Sequence, residues 1–413
     1  MNRFTLFYLF LALIACATNS GPDFVEYRLL TPPKIAINED LGDIFLGGLS
    51  GLTIKHSPHQ ENLSNLQLIT VTDRGPNTNP YDFDNDGFKD RGFVIPEFNP
   101  SIVITEIKEK RLHIVERIPL KSLKGIQITG LPNENRTAKN QTFNQFDETP
   151  FNLNKEKLTF NPNGIDPEGI TIDSSGNYWI CDEYGPSLLK VSQNGVILKR
   201  FLPNVLNSKR DGIKALPEII SMRKLNRGFE GITMIGDKVY TALQSPLPYG
   251  KWKNERINHI IEFDTKKEKT TGHYLYFMEE KGTKIGALAR TFDNKILILE
   301  QNGKTQEKNF RKIYKLDISK ATNVLSLKLD IPLTKEKLKK EKITPVLKKE
   351  FLDLSKGPLN FIEKVEGMTM TNHETIIIAV DNDFGVGKLI DKKSGNLNKS
   401  SINKFSSFYK IKL

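Results

Sequence analysis

The chain has 413 residues, of which 38% are hydrophobic and 26% charged, and a formal net charge of +11. That composition reads as a soluble, globular body with enough chain for a large core. The positive balance favours anionic partners, but the lysines are scattered or gathered in one tract and no nucleic-acid motif accompanies them, so no nucleic-acid partner is expected.

Residues 1–15 read as a signal peptide. MNRF carries one arginine, the apolar run LFYLFLALIA follows, and the run is too short for a spanning helix. Leu13-Ile14-Ala15-Cys16 resembles a bacterial lipobox, which implies cleavage before Cys16 and lipid on its thiol; an ordinary signal cut nearby is the alternative. Residues 16–40 then hold the lipidated cysteine, a tether and the first strand, and residues 41–413 form the main domain. The mature chain keeps one other cysteine, Cys181, so it forms no internal disulfide.

Short β-branched and aromatic runs follow in order: LQLITVTD, SIVITEI, ITIDSSGNYWICDE, GVILKRF, GITMIGDKVYTAL, HIIEFDT, KILILEQ and TIIIAVD. Glycine, asparagine, aspartate and proline punctuate them, the pattern of an all-β fold. The runs also repeat. Ser50-Gly51-Leu52-Thr53 is echoed by Glu168-Gly169-Ile170-Thr171, Glu230-Gly231-Ile232-Thr233 and Glu366-Gly367-Met368-Thr369, with Ala287-Leu288-Ala289-Arg290 as a degenerate copy. Gly169 to Asp182, Gly231 to Gln244 and Ala287 to Glu300 each span 13 positions, and Gly367 to Asp381 spans 14. The first copy reaches Asp73 only after 22 positions, with HSPHQENLSN as a hairpin insertion. A repeated hairpin of this kind predicts a β-propeller of roughly six blades with loop insertions. The long gap after the first copy leaves room for a blade built from SIVITEI and LHIVERIPL. Residues 133–163 and the lysine-rich tract 334–350 read as insertions, the second as a short exposed helix.

Two acidic constellations stand out. In YDFDNDGFKD, Asp82, Asp84 and Asp86 alternate, Gly87 permits a sharp turn, the Phe88 carbonyl follows and Asp90 completes the set. Hard oxygens at this spacing suit calcium, although Phe93 replaces the glutamate of an EF-hand, so this is a DxDxDG loop of another kind. The alternative is a solvated acidic turn. The second constellation comes from blade-equivalent positions, which converge at a propeller's channel: Asp73, Glu168, Asp182, Glu183, Glu230, Glu300, Glu366, Asp381 and Asp383, with Arg74, Arg290 and Lys364 as nearby cations. Carboxylates with a few cations suit a divalent metal that activates water on a small anionic or ester substrate. Structural calcium or arginine pairing is the competing account. The six histidines, at 56, 59, 113, 259, 273 and 373, lack zinc spacing, and Cys181 reads as buried packing. Trp179 and Trp252 read as core or blade packing.

The order of GLSGLT, VTDRGPN, the DxDxDG loop, FVIPEFNPSIVITEI, ITGLPN, DPEGIT, ICDEYGPSLLKVSQNG, RGFEGIT, ILILEQNG, KVEGMTM and AVDNDFG resembles the esterase-like phytase, or phytase-like, family over about residues 45–385. The resemblance implies a secreted β-propeller and ester or phosphoester hydrolysis. One motif departs from the calcium-dependent β-propeller phytases: Asp166-Pro167-Glu168-Gly169-Ile170 stands where they carry an Asp-Asp-Pro-Ala string, so phytate itself is not implied. The expectation is a calcium-dependent hydrolase, monomeric, carried as an exported lipoprotein of the outer membrane on its periplasmic or surface face and held to the membrane by lipid on Cys16. A non-catalytic binding or adhesion propeller with structural calcium is one alternative. A lactonase-like propeller hydrolase, with Asn382 beside Asp381 and Asp383, is the other.

Overall fold

The structure is a computed structural model that describes residues 22–55, 66–134, 148–204, 210–248, 255–327, 334–391, 393–398 and 405–413. Cys16, His56, His59 and Trp252 lie outside the described residues, as do the signal segment and the insertion HSPHQENLSN.

Among the described residues the chain winds into five antiparallel blades. Their innermost strands are Leu49–Ile54, Pro167–Ile172, Phe229–Ile235, Lys284–Arg290 and Val365–Asn372. Each touches the next and the fifth returns to the first, which closes the ring with no gap for a further blade. The sixth blade expected from the repeat is therefore absent. SIVITEI and LHIVERIPL are the third and fourth strands of blade one, Ser101–Lys108 and Arg111–Pro119. Blade five is closed from both ends of the chain: Phe24–Arg28 pairs antiparallel with Ser407–Lys412, Phe24 opposite Ile411. Tethering first and last strands to one sheet leaves no blade to peel away as a free edge.

Burial explains which runs became which strands. Ile296–Gln301 (ILILEQ) is buried at every position, as a strand covered on both faces by neighbouring blades must be. Arg111–Pro119 sits on a rim and mixes exposed charges with buried Leu112 and Ile118. Cores form between blades: Ile69, Val71 and Ile102 of blade one pack with Ile170, Ile180 and Leu189 of blade two. Trp179 stacks on Phe201 with centroids 5.8 Å apart and planes 7° from parallel, so it is core packing as the sequence suggests.

The repeated glycine has a specific cause. All five inner strands are irregular at the motif, where the register slips as at a β-bulge. There the strands crowd the axis. A Cβ on Gly51 would lie 2.7 Å from Gly169 Cα, and one on Gly367 2.9 Å from the Gly51 carbonyl carbon. Gly51 also has φ +64°, a conformation only glycine adopts freely. The carbonyls freed by the slip are collected by the second strand: Thr70 Oγ1 donates to the Gly51 carbonyl and Thr241 Oγ1 to that of Gly231, both at 2.8 Å. Cys181, buried and free, fills the corresponding space beside Gly169.

Of the two expected insertions, Thr149–Phe151 pairs in parallel with Asp90–Gly92 and so anchors the end of the DxDxDG loop. The lysine tract contains the short helix Lys335–Lys340, capped by Thr334, whose Oγ1 accepts the Lys337 N–H at 3.1 Å, and pinned by buried Leu338.

Candidate metal centre in the channel

The residue before the glycine is Glu168, Glu230 and Glu366 in blades two, three and five, Ser50 in blade one and Gly286 in blade four. The slipped register at that point turns these three glutamates toward one another. Each is at most 8% exposed, and their charges act on one another across the ring. Burial pushes Glu168 and Glu230 well above the ordinary carboxyl range, helped by repulsion from Glu230, Asp166 and Glu366 at the first and from Glu366 and Glu183 at the second.

On the side of blades two and three, oxygens of Asp166, Glu168 and Glu183 all lie within 4.8 Å of one another. Asp166 is fixed by the loop before its blade: its Oδ1 accepts the Arg74 N–H at 3.0 Å, and its own N–H donates to Asp182 Oδ1 at 2.9 Å. Glu168 Oε2, Glu183 Oε1 and both oxygens of Glu230 are buried with no hydrogen-bond partner. Burial, with Asp166 adding to it, lifts Glu183 to about 8. Arg74, Arg227 and Arg223 oppose that rise from nearby. Carboxylates left this way in a dry site are costly, so the group calls for protons or a cation. The donor set is all hard oxygen, which fits calcium, magnesium or manganese and does not fit a soft metal.

On the side of blade five the charge is answered differently. Asp73, Asp381 and Asp383 form a second group with oxygens within 4.8 Å. The Lys364 ammonium pairs with Asp381 and Asp383 and lies 3.7 Å from Glu366. Lys284 Nζ donates to Glu366 at 2.9 Å. These two lysines outweigh burial and hold Glu366 down at about 2. The backbone is bent to build this knot: Lys364, Asp383 and Phe384 have φ of +49°, +48° and +52°, a conformation that costs a residue with a side chain on the order of 1 kcal/mol or more.

Three expected site residues belong elsewhere. Asp182 is spent on structure: Oδ1 accepts two backbone N–H groups, and Oδ2 accepts from Ser187 at 2.7 Å and Arg210 at 2.6 Å. Glu300 accepts from Tyr276, from Lys348 at 2.6 Å and from the Glu279 N–H at 2.8 Å, a closed network beside blade four. Arg290 ends its inner strand at the opposite mouth, among Met234, Met368 and Met370 in a cavity of about 500 Å³. Arg74 is at the site but already engaged, 3.3 Å from Asp166 and bonded to Asn226. Asp166, Lys284, Arg223 and Arg227 were not expected. The signal was faint: Asp166 and Arg227 lie two and three positions before the repeated glutamates, in DPEGIT and RGFEGIT.

The DxDxDG loop brings together Asp82, Asp84 and Asp90, within 4.8 Å. Asp90 is fully buried with Oδ1 unpartnered, and burial lifts it to about 6. Asp86 is not part of that group and accepts the Phe88 N–H at 2.8 Å, while the Phe88 side chain is 55% exposed. Asn85 and Gly87 take positive φ, as a tight turn around the aspartates requires.

The sequence matches the profile of the family described as phytase-like, esterase-like activity of phytase, over residues 44–384. An uncharacterized secreted protein of Arthroderma benhamiae is 33% identical over 122 residues, 24% of this chain and 24% of that protein, so the match spans about a quarter of that relative's length. Among solved structures, a luciferin-regenerating enzyme has 9% identity over 92% of this chain and 95% of its own, with a TM-score of 0.35. The α-L-arabinofuranosidase of Podospora anserina has 7% identity over 95% and 97%, with a TM-score of 0.39. Likenesses at that level say nothing about chemistry.

Proposed function

The chain belongs to the phytase-like family, and we propose that it works there as a calcium-dependent hydrolase of phosphoesters or other esters, with its reaction centre in the propeller channel. The observation that carries this reading is the set of four buried carboxylate oxygens without donors, on Glu168, Glu183 and Glu230. Asp166, Glu168 and Glu183 would hold the ion, with Glu230 beside them. When bound, calcium supplies polarisation of a phosphoryl or carbonyl oxygen and a more acidic water. Glu183, lifted to about 8 without the ion, gives up its proton when the ion binds, so ion uptake at neutral pH releases a proton. Arg227 and Arg223 face this carboxyl and supply positive charge for an anionic leaving group. Arg74 orients Asp166 rather than the substrate, because its backbone and guanidinium are both committed to it.

The rival readings fare unequally. Asn382 Oδ1 accepts the Gly48 N–H at 3.0 Å and the Ser406 hydroxyl at 3.4 Å, which weighs against the lactonase-like ligand set. A binding propeller stapled by calcium is favoured by the acidic group outside the channel, Asp82, Asp84 and Asp90, which lies in a loop. Export and lipidation at Cys16 are part of the proposal. Their support is the MNRF, apolar run and LIAC order and the Arthroderma relative, which is described as a secreted protein.

The deciding experiment is hydrolysis of p-nitrophenyl phosphate, p-nitrophenyl acetate, phytate and a simple lactone, with calcium and with chelator. Calcium-dependent turnover that falls at least about a hundredfold in a folded Glu168→Gln variant is the expected result. A folded, calcium-stabilised protein that turns over none of the four would transfer the assignment to the binding propeller.

A further inference from the structure

The blade-five side of the channel is the part whose charge is balanced from within. Asp73, Asp381 and Asp383 converge, and Glu366 stands 3.7 Å from the same ammonium that pairs with Asp381 and Asp383. Carboxylates gathered this closely are the donor set a divalent ion takes. Here Lys364 Nζ stands among three of them, Asp381, Asp383 and Glu366, with Asp73 behind Asp381 and Asp383. Across the channel, Glu168, Glu183 and Glu230 keep oxygens with no donor, and Glu230, fully buried, has neither of its two oxygens partnered. One fold therefore treats two similar acidic groups in opposite ways. Lys364 and Asp383 both take positive φ, so the backbone at the two ends of this ion pair is held in a conformation that costs a residue with a side chain.

We propose that Lys364 is a tethered cation standing in the place of a second divalent ion, so that the channel takes one divalent ion, on the side of Asp166, Glu168, Glu183 and Glu230. Resting on the hydrolase reading, the Lys364 side chain, 30% exposed, then faces the anionic group of a substrate held between the two cations. A flexible ammonium neutralises charge without the fixed coordination number that a divalent ion imposes. The centre is thus a one-metal site with a lysine partner, and the substrate class it suits carries an anion next to the bond that breaks.

The test counts ions independently of turnover. Calcium bound at saturation is measured by equilibrium dialysis on the full chain and on its Lys364→Met and Lys364→Arg variants; any ion in the Asp82–Asp90 loop contributes equally to all three. Lys364→Met is expected to bind one calcium more than the unsubstituted chain, and Lys364→Arg the same number as it. Equal stoichiometry for Lys364→Met would overturn the proposal. Should that variant not fold, the unsubstituted chain decides: reductive methylation of Lys364, read by mass spectrometry, is expected to be equally slow in chelator and in millimolar calcium. A severalfold rise in calcium would overturn the proposal, because the ion would then be displacing the ammonium. Turnover separates the two readings. An extra ion in a Lys364→Met chain whose parent hydrolyses nothing refutes the hydrolase and keeps the tethered cation. Unchanged stoichiometry in an active enzyme refutes the tethered cation alone.

Discussion

Glu183→Gln tests the electrostatics of the channel most directly. In the folded chain without an ion, burial and Asp166 hold Glu183 at about 8, against an ordinary value of 4.5. Below pH 4.5 the folded and unfolded chains both carry this proton, so it has no effect on stability. Between 4.5 and 8 the unfolded chain has released the proton while the folded chain retains it, and stability falls as pH rises. Above 8 the loss is complete. At about 1.4 kcal/mol for each tenfold change in proton affinity, the full span amounts to an upper limit of about 5 kcal/mol. Glutamine keeps the shape and removes the titration. Urea denaturation in chelator at pH 5, 6, 7 and 8 should show the unsubstituted chain losing stability across that series, and Glu183→Gln losing distinctly less. Glu168, Glu230 and Asp73 are also raised by burial, so a residual slope in the same direction remains in the variant. Calcium should offset the loss, by about 2.7 kcal/mol at a hundredfold excess over its dissociation constant. Identical slopes for the two chains, or an unsubstituted chain equally stable at pH 5 and 8 in chelator, would refute the account of a channel short of positive charge.

Asp182→Ala leaves Arg210 buried without its carboxylate and should cost about 3–5 kcal/mol in urea denaturation, a structural loss that calcium does not reverse. Gly51→Ala meets Gly169 Cα and Ile170 N at 2.7 Å on a backbone with φ +64°, and should cost about 3 kcal/mol, read the same way. Arg290→Ala, at the opposite mouth, should leave turnover within about twofold of the unsubstituted enzyme; a loss of more than about tenfold would return Arg290 to the reaction centre.

The propeller was legible because its unit is local. A hairpin with glycine at a fixed offset repeats at the start of four of the five blades, with Ala287 in its place in blade four, and the glutamates before Gly169, Gly231 and Gly367 mark places where inner strands crowd the axis. The blade count was not legible. Strand runs are alike whether they start a blade or finish one, and only its pairing with Gln67–Thr72 makes Ser101–Lys108 the third strand of blade one. Equal spacing also misplaced two side chains. Asp182 and Glu300 each stand 13 positions after the motif, yet one is tied to Arg210 and the other to Tyr276 and Lys348. Spacing fixes a residue's height on a strand, whereas its direction depends on which neighbouring loop supplies a donor. The charge balance of the channel lay furthest from view. Lys364 meets Asp381 and Asp383, and these meet Asp73, some 300 residues earlier in the chain; the repeat makes Asp73 and Asp381 blade-equivalent, but it does not say which acids the ammonium pairs with. The sequence determined that acidic groups would gather around one axis. The tertiary structure decided which of them receive an internal cation and which are left for a metal, because that depends on where loops from different blades end.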